Sequence, residues 1–318
     1  MSTTDSLSPM PYTVKQETME TRPQFSITEN GLLVRAPAKI NLSLLIAGKR
    51  PDGFHEIETI MAKNNLYDEI LIEPGLRPGI DLQCRGSHWA PDGPDNLVYR
   101  AASLLLDTYG AKANLKITLT KNIPAGSGLG SASSDAAAAL VGVADLLRLD
   151  VTAKQLIPMA GQLGSDVAFF LGGPLALCEG KGEKVSPVAV SYDFLALVVL
   201  PGVHISTAKV YANYVHDADL YRRQHDRIIA HILKSRIDLV TEMRTNMLAE
   251  TCFSMESDLA RLKARIETIG IGPLCLTGSG SAMYKIITSG DAAQADRQQQ
   301  ILTQRTGCPS LIVTNNPW

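Results

Sequence analysis

Residues 116–136 constrain this chain more than any other stretch: an alternating strand runs through a Gly/Ser loop straight into a helix of small residues. The loop reads Pro124, Ala125, Gly126, Ser127, Gly128, Leu129, Gly130, Ser131, Ala132, Ser133, Ser134. Without a Cβ, Gly126, Gly128 and Gly130 can take positive φ and turn backbone N–H groups inward. The Ala/Leu/Val run over 136–147 supplies a helix whose first amides and positive dipole end face that loop. Such a cradle suits a polyanion, most simply the phosphates of a nucleotide. No Lys follows Gly130, which excludes the Walker loop, and the even glycine spacing excludes the G-x-G-x-x-G dinucleotide fingerprint. A flexible linker is the plain alternative, and an Ala-rich helix starting at once weighs against it.

A chain of 318 residues is long enough for two domains. Net charge is −2, so no polybasic face for nucleic acid or acidic lipid is implied. No apolar run reaches membrane-span length; the longest, residues 194–200, reads as a buried strand. The five cysteines are scattered without a C-x-x-C pair, which fits reduced thiols in a cytoplasmic protein. The six histidines lack paired ligand spacing, so no metal site is expected from side chains. Residues 1–29 are Ser/Thr/Pro-rich without periodicity or an apolar signal core and read as a disordered tail.

Alternation predicts strands over 32–36, 37–46, 57–66 and 68–72, with a turn over 48–55 between them. Residues 96–109 and 153–163 carry helical periodicity, with a break at 164–166 that starts another helix. The second half reads as a strand over 194–200, charged helical segments between 221 and 269, strands over 273–277 and 282–288, a helix over 291–306 and a last strand over 310–314. That order is compatible with a ferredoxin-like split βαβ layout. A boundary is expected in the Gly/Lys/Glu-rich stretch near 180, giving domains over 30–180 and 181–318.

Three segments in order, Pro37-Ala38-Lys39-Ile40-Asn41, the loop from Pro124, and Leu276-Thr277-Gly278-Ser279-Gly280, resemble the motifs of the GHMP small-molecule kinases, over roughly residues 31–318. The resemblance implies an α+β, two-domain fold: an N-terminal α/β domain carrying the phosphate loop and helix, and a C-terminal ferredoxin-like domain. It also implies ATP with Mg²⁺, a small-molecule alcohol as acceptor, and neither nucleic acid nor membrane as partner. Residues 50–59, with Arg50-Pro51-Asp52-Gly53-Phe54-His55, are similar to the branch whose acceptor is a cytidine diphosphate methylerythritol.

By the same resemblance Asp166 matches the family's catalytic aspartate and Lys39 its partner lysine. Local chemistry alone leaves alternatives open: Ser165 or Asp166 is a favoured helix cap, and a strand lysine commonly snorkels to solvent. Asn41, on the same strand face as Lys39, is a candidate to orient the substrate. Phe54 and Tyr211 are candidates to stack on a cytosine, with His55 on its edge; for isolated aromatics a core role is commoner. Gly278 and Ser279 belong to the acceptor end by resemblance, or form a tight hairpin and nothing more. Ser134 is the expected nucleotide contact among the helix-opening serines. Asp135 adds negative charge beside the phosphates, unfavourable unless a cation stands between. Ser131 and Ala132 stand where the family commonly has glycines, and each added Cβ narrows φ. Ala168 stands where the family commonly has proline.

Overall fold

The computed structural model describes residues 24–190, 192–287, 291–316 and 318. The first sheet uses β1 (Phe25–Ile27), β2 (Leu32–Lys49), β3 (His55–Pro74), β4 (Gly79–Gly86), β5 (Asn114–Lys121), β6 (Leu175–Gly180) and β7 (Lys184–Pro187). Its path is β1-β2-β3-β5-β4, with β6 pairing to β3 and β7 to β6. The strands predicted over 32–36 and 37–46 are one strand, and those over 57–66 and 68–72 another. The long β2–β3 hairpin absorbs its own bends by register shifts between Pro37 and Lys39, Asn41 and Ser43, and Ile46 and Gly48.

Bends let one strand serve two cores. Leu32, Val34 and Ala36 pack under α1 (Leu97–Tyr109), α2 (Ser131–Leu146), α3 (Ala153–Leu163) and α4 (Val167–Phe170). Past the first shift, Ala38, Ile40, Leu42 and Leu44 enter the core shared with the second half. That half carries β8 (Leu195–Val199), α5 (Thr207–Asn213), α6 (Ala218–Leu233), α7 (Ile237–Met243), α8 (Ala249–Met255), α9 (Ser257–Thr268), β9 (Cys275–Leu276), β10 (Met283–Ile286), α10 (Ala292–Thr306) and β11 (Ser310–Thr314). Its sheet runs β11-β8-β10-β9, antiparallel throughout, which is the ferredoxin-like order.

Several expectations need correction. Phe25–Ile27, read as part of the disordered tail, pairs with β2 and buries Phe25; residues 1–23 lie outside the described residues. The stretch expected to divide the halves, near 180, is the turn of the β6–β7 hairpin in the first sheet; we propose that the division falls between Pro187 and Leu195. Residue 288, the end of a predicted strand, lies outside the described residues. Strand β4 escaped the sequence reading, although Ile80, Leu82 and Cys84 alternate there. Helix α2 begins at Ser131, two residues ahead of the serines expected to open it. No helix among the described residues is long and apolar enough to cross a membrane.

Candidate active site

The glycine loop joins β5 to α2 and faces the turn between β9 and β10. Gly126, Gly128 and Gly130 have φ of +67°, +82° and +77°, a region that side chains with a Cβ rarely enter. Space demands glycine as well. A Cβ on Gly128 would stand 2.2 Å from the Thr277 carbonyl oxygen, and one on Gly130 2.9 Å from Lys39 Cγ. The turn is fastened to the loop by the Ala282 N–H donating to the Ser127 carbonyl at 2.9 Å.

Ser131 and Ala132 behave differently from expectation. Both are already helical residues of α2, and the positive φ values stop at Gly130. Their Cβ atoms therefore leave the loop conformation undisturbed. The Ser131 hydroxyl donates to Asp68 Oδ2 at 2.9 Å and accepts from the Lys121 ammonium. Lys121 also pairs with Asp68 and, at 2.6 Å, with Asp135. This buried group ties the end of β5 and the start of α2 to β3, clamping both ends of the loop. Lys121 is the cation that Asp135 needs. Burial pushes the Asp135 carboxyl well above its ordinary range against the pull of Lys121. Burial also works against the Lys121 charge, yet the two carboxylates hold its pKa above the usual value.

Lys39 and Asn41 project from one face of β2, and Asp166 precedes α4. Lys39 Nζ lies 3.6 Å from Asp166 Oδ2 and donates to Asn41 Oδ1 at 2.6 Å. Asp166 makes no side-chain cap bond to α4, so the cap alternative fails for its carboxylate. Lys39 is buried rather than snorkelling. Burial pulls its ammonium below the ordinary lysine range, with Asp166 opposing the shift. Asn41 is held in turn: its Nδ2 donates to Thr59 Oγ1 at 2.8 Å, and its N–H donates to Thr277 Oγ1 at 3.1 Å.

A cleft of about 770 Å³ runs from the loop, past this pair, to an aromatic wall. Pro124, Gly126, Ser127, Gly128 and Gly130 line its loop end, with Ser131, Ala132 and Ser133 at the helix start. Gly278 and Ser279 line it from the second half, and Phe54, His55 and Tyr211 close the far end. The His55 and Tyr211 rings lie 5.2 Å apart at 35°. Phe54 is 53% exposed at the rim, with Lys181 Nζ 4.6 Å from its ring centre. Burial, then the charges of Lys49 and His216, lower the His55 pKa and favour a neutral imidazole. Burial, with the Asp166 carboxylate adding to it, raises the Tyr211 phenol.

Three expected contacts lie off the cleft lining. Ala125 sits exposed beside the loop, and the Leu129 side chain is in the core while its carbonyl accepts the Lys39 N–H at 2.9 Å. Ser134, one residue round the helix from Ser133, turns to a separate cavity of about 210 Å³ beside Phe170 and Trp318. Sequence reasoning quoted Thr277 in the third motif but gave it no role; its hydroxyl joins the strand bearing Asn41 to the loop at the Gly128 carbonyl. The same reasoning missed Tyr214, whose ring lies 6.0 Å from His55.

A nucleotide-sized cleft beside a lysine–aspartate pair, on this pairing of sheets, defines a small-molecule kinase of the GHMP type. The GHMP kinases N-terminal domain matches residues 96–173. The 4-diphosphocytidyl-2-C-methyl-D-erythritol kinase of Geobacillus sp. (strain WCH70) is 34% identical over 256 residues, 80% of this chain and 88% of that protein. The enzyme of the same name from Citrifermentans bemidjiense is 36% identical over 269 residues, 83% of this chain and 92% of its own. A crystal structure of 4-(cytidine 5'-diphospho)-2C-methyl-D-erythritol kinase superposes with a TM-score of 0.70 at 30% identity, covering 89% of this chain and 99% of that one. The chain belongs to the GHMP kinases, and among them to the family of 4-diphosphocytidyl-2-C-methyl-D-erythritol kinases.

Proposed function

We infer that the protein transfers the γ-phosphoryl group of ATP to the 2-hydroxyl of 4-diphosphocytidyl-2-C-methyl-D-erythritol, releasing ADP and the 2-phosphate, a step of non-mevalonate isoprenoid precursor synthesis. The observation that carries this reading is the meeting of Lys39 Nζ and Asp166 Oδ2 at 3.6 Å within the cleft that the glycine loop opens onto.

Phosphoryl transfer asks for a held triphosphate, a positioned hydroxyl and a place for its proton. The loop amides and the N-terminus of α2 hold the phosphates. Asp166 accepts the hydroxyl proton as the alcohol oxygen forms its bond to phosphorus and the bond to ADP breaks. Lys39, paired with Asp166 against the pull of burial, stabilises negative charge on the attacking oxygen. Asn41 fixes the Lys39 head group through its 2.6 Å bond. At the far end the cytosine stacks against Tyr211 and Phe54, while a neutral His55 can both donate to and accept from its edge.

Among the described residues no cluster of three His, Cys, Asp or Glu could hold a metal ion. Among the described residues the cleft lining offers one carboxylate, Asp166, together with hydroxyls that include Ser127, Ser133 and Ser165. Asp166 and a neighbouring hydroxyl would hold Mg²⁺ only together with the nucleotide's own oxygens, and the ion would there neutralise phosphate charge.

The test gives purified protein ATP, Mg²⁺ and a panel of alcohols, and records ADP release. Turnover of the cytidine diphosphate compound alone is the expected result. Turnover of mevalonate or homoserine instead moves the substrate reading elsewhere in the family, and nucleotide binding with silence across the panel removes the catalytic reading.

A further inference from the structure

Besides Lys39 and Lys121, a further lysine is buried beneath the candidate site, and the phosphoryl-transfer chemistry makes no use of it. Lys63 on β3 is the cross-strand partner of Lys39 on β2, so the two side chains start from neighbouring positions on one face of the sheet. Lys63 is 2% exposed. Its Nζ donates to the carbonyl oxygens of Gly172 at 2.7 Å and Phe170 at 3.3 Å. It lies 5.8 Å from the Phe169 ring centre. Among the described residues it has no ion-pair partner. The backbone pins it from both sides: the Lys63 N–H donates to Pro174 at 2.8 Å, and its carbonyl accepts from Asn316 at 3.0 Å.

An ammonium in such a place is costly, and an apolar side chain of similar volume would ordinarily serve a core better. What it holds is the far end of α4. That helix is four residues long, too short to persist by its own hydrogen bonds. Its N-terminal flank is Asp166, paired with Lys39; at the other end Lys63 donates to the carbonyl of Phe170, the last helical residue, and to that of Gly172 just beyond it, which complements the negative end of the helix. Two lysines facing each other across one strand pair thus seize opposite ends of the same turn. Burial lowers Lys63 to about 8, consistent with a charge held only by dipoles.

We propose that Lys63 is a positioning residue for the transfer step: by fastening the C-terminal end of the 166–172 turn it fixes the Asp166 carboxylate against Lys39 and the acceptor hydroxyl. The proposal rests on the role given to Asp166 above, and it concerns geometry rather than substrate contact. A misplacement of about 1 Å at a reacting group can cost on the order of 100-fold in rate.

The experiment compares Lys63→Met and Lys63→Gln with the wild-type full chain, using whichever alcohol the wild type accepts. The Met variant should lose roughly 10- to 100-fold in kcat while KM for ATP and for the alcohol stays within about twofold. The Gln variant, which keeps a donor, should fall between. Hydrogen exchange should quicken over residues 166–172 and stay unchanged over 126–134. A kcat within about twofold of wild type in a folded variant, a KM that rises with kcat constant, or unchanged exchange over 166–172 would each overturn the proposal. Should the Met variant not fold, the Gln variant decides by the same criteria. A wild type that turns over a different alcohol defeats the substrate reading while the variant-to-wild-type ratio still judges Lys63. A wild type silent on every alcohol removes the transfer step, and the proposal falls with the reading it rests on.

Discussion

The two ends of the cleft are built from different materials. At the loop end the surface is main chain: glycines at positive φ, of which Gly128 and Gly130 pack so closely against Thr277, Phe170 and Lys39 that a Cβ has no room. At the acceptor end it is side chains delivered from separate elements, with His55 opening β3 and Tyr211 on α5 of the other half. A backbone-made site depends on conformation, so it tolerates few substitutions and is written in one contiguous string. A site made of side chains depends on the fold to bring its parts together, and any one part can be changed without unfolding the rest.

The sharpest way to break that contrast is Gly128→Ala. The added Cβ meets the Thr277 carbonyl at 2.2 Å and φ is +82°, so the loop must move. Affinity for ATP should drop tenfold or more, roughly 1.4 kcal/mol or above, while calorimetric binding of the cytidine compound without ATP stays near wild type. Equal losses at both ends would show that the two are not independently built. At the other end, Tyr211→Leu keeps apolar volume and removes the stacking face. KM for the cytidine compound should rise about tenfold, as a lost stacking contact of 1–3 kcal/mol implies, with KM for ATP unaltered. A Leu variant with wild-type KM would remove Tyr211 from the wall. The smallest effect is a displacement along the pH axis. Burial lowers the Lys39 pKa, so its ammonium is lost as pH rises through a value below the ordinary 10.5. The alkaline limb of kcat/KM should therefore fall below that value, and a limb that stays flat beyond it would contradict a charged Lys39 at work.

The same contrast explains what was legible in the sequence. The loop was readable because glycine spacing and the alanine run are local, and the ferredoxin-like half followed from its order of elements. Lys39 and Asp166 were assigned only through family resemblance, since nothing near either residue in the chain announces the other. Ser134, expected to touch the nucleotide, lines the separate cavity beside Phe170 rather than the cleft, a difference of one residue along α2 that the serine run does not reveal. Thr277 and Lys63 act through contacts with distant strands, and their neighbours in sequence give no hint of that. Asp135 became intelligible once Lys121 and Asp68 were seen beside it.

On this reading the loop holds ATP while the ammonium–carboxylate couple beside it conducts the transfer. Asp166→Asn separates the two functions most directly, with affinity for a non-hydrolysable ATP analogue measured alongside single-turnover transfer. Affinity should be unchanged and the rate lower by orders of magnitude; transfer at the wild-type rate would remove the couple from the chemistry.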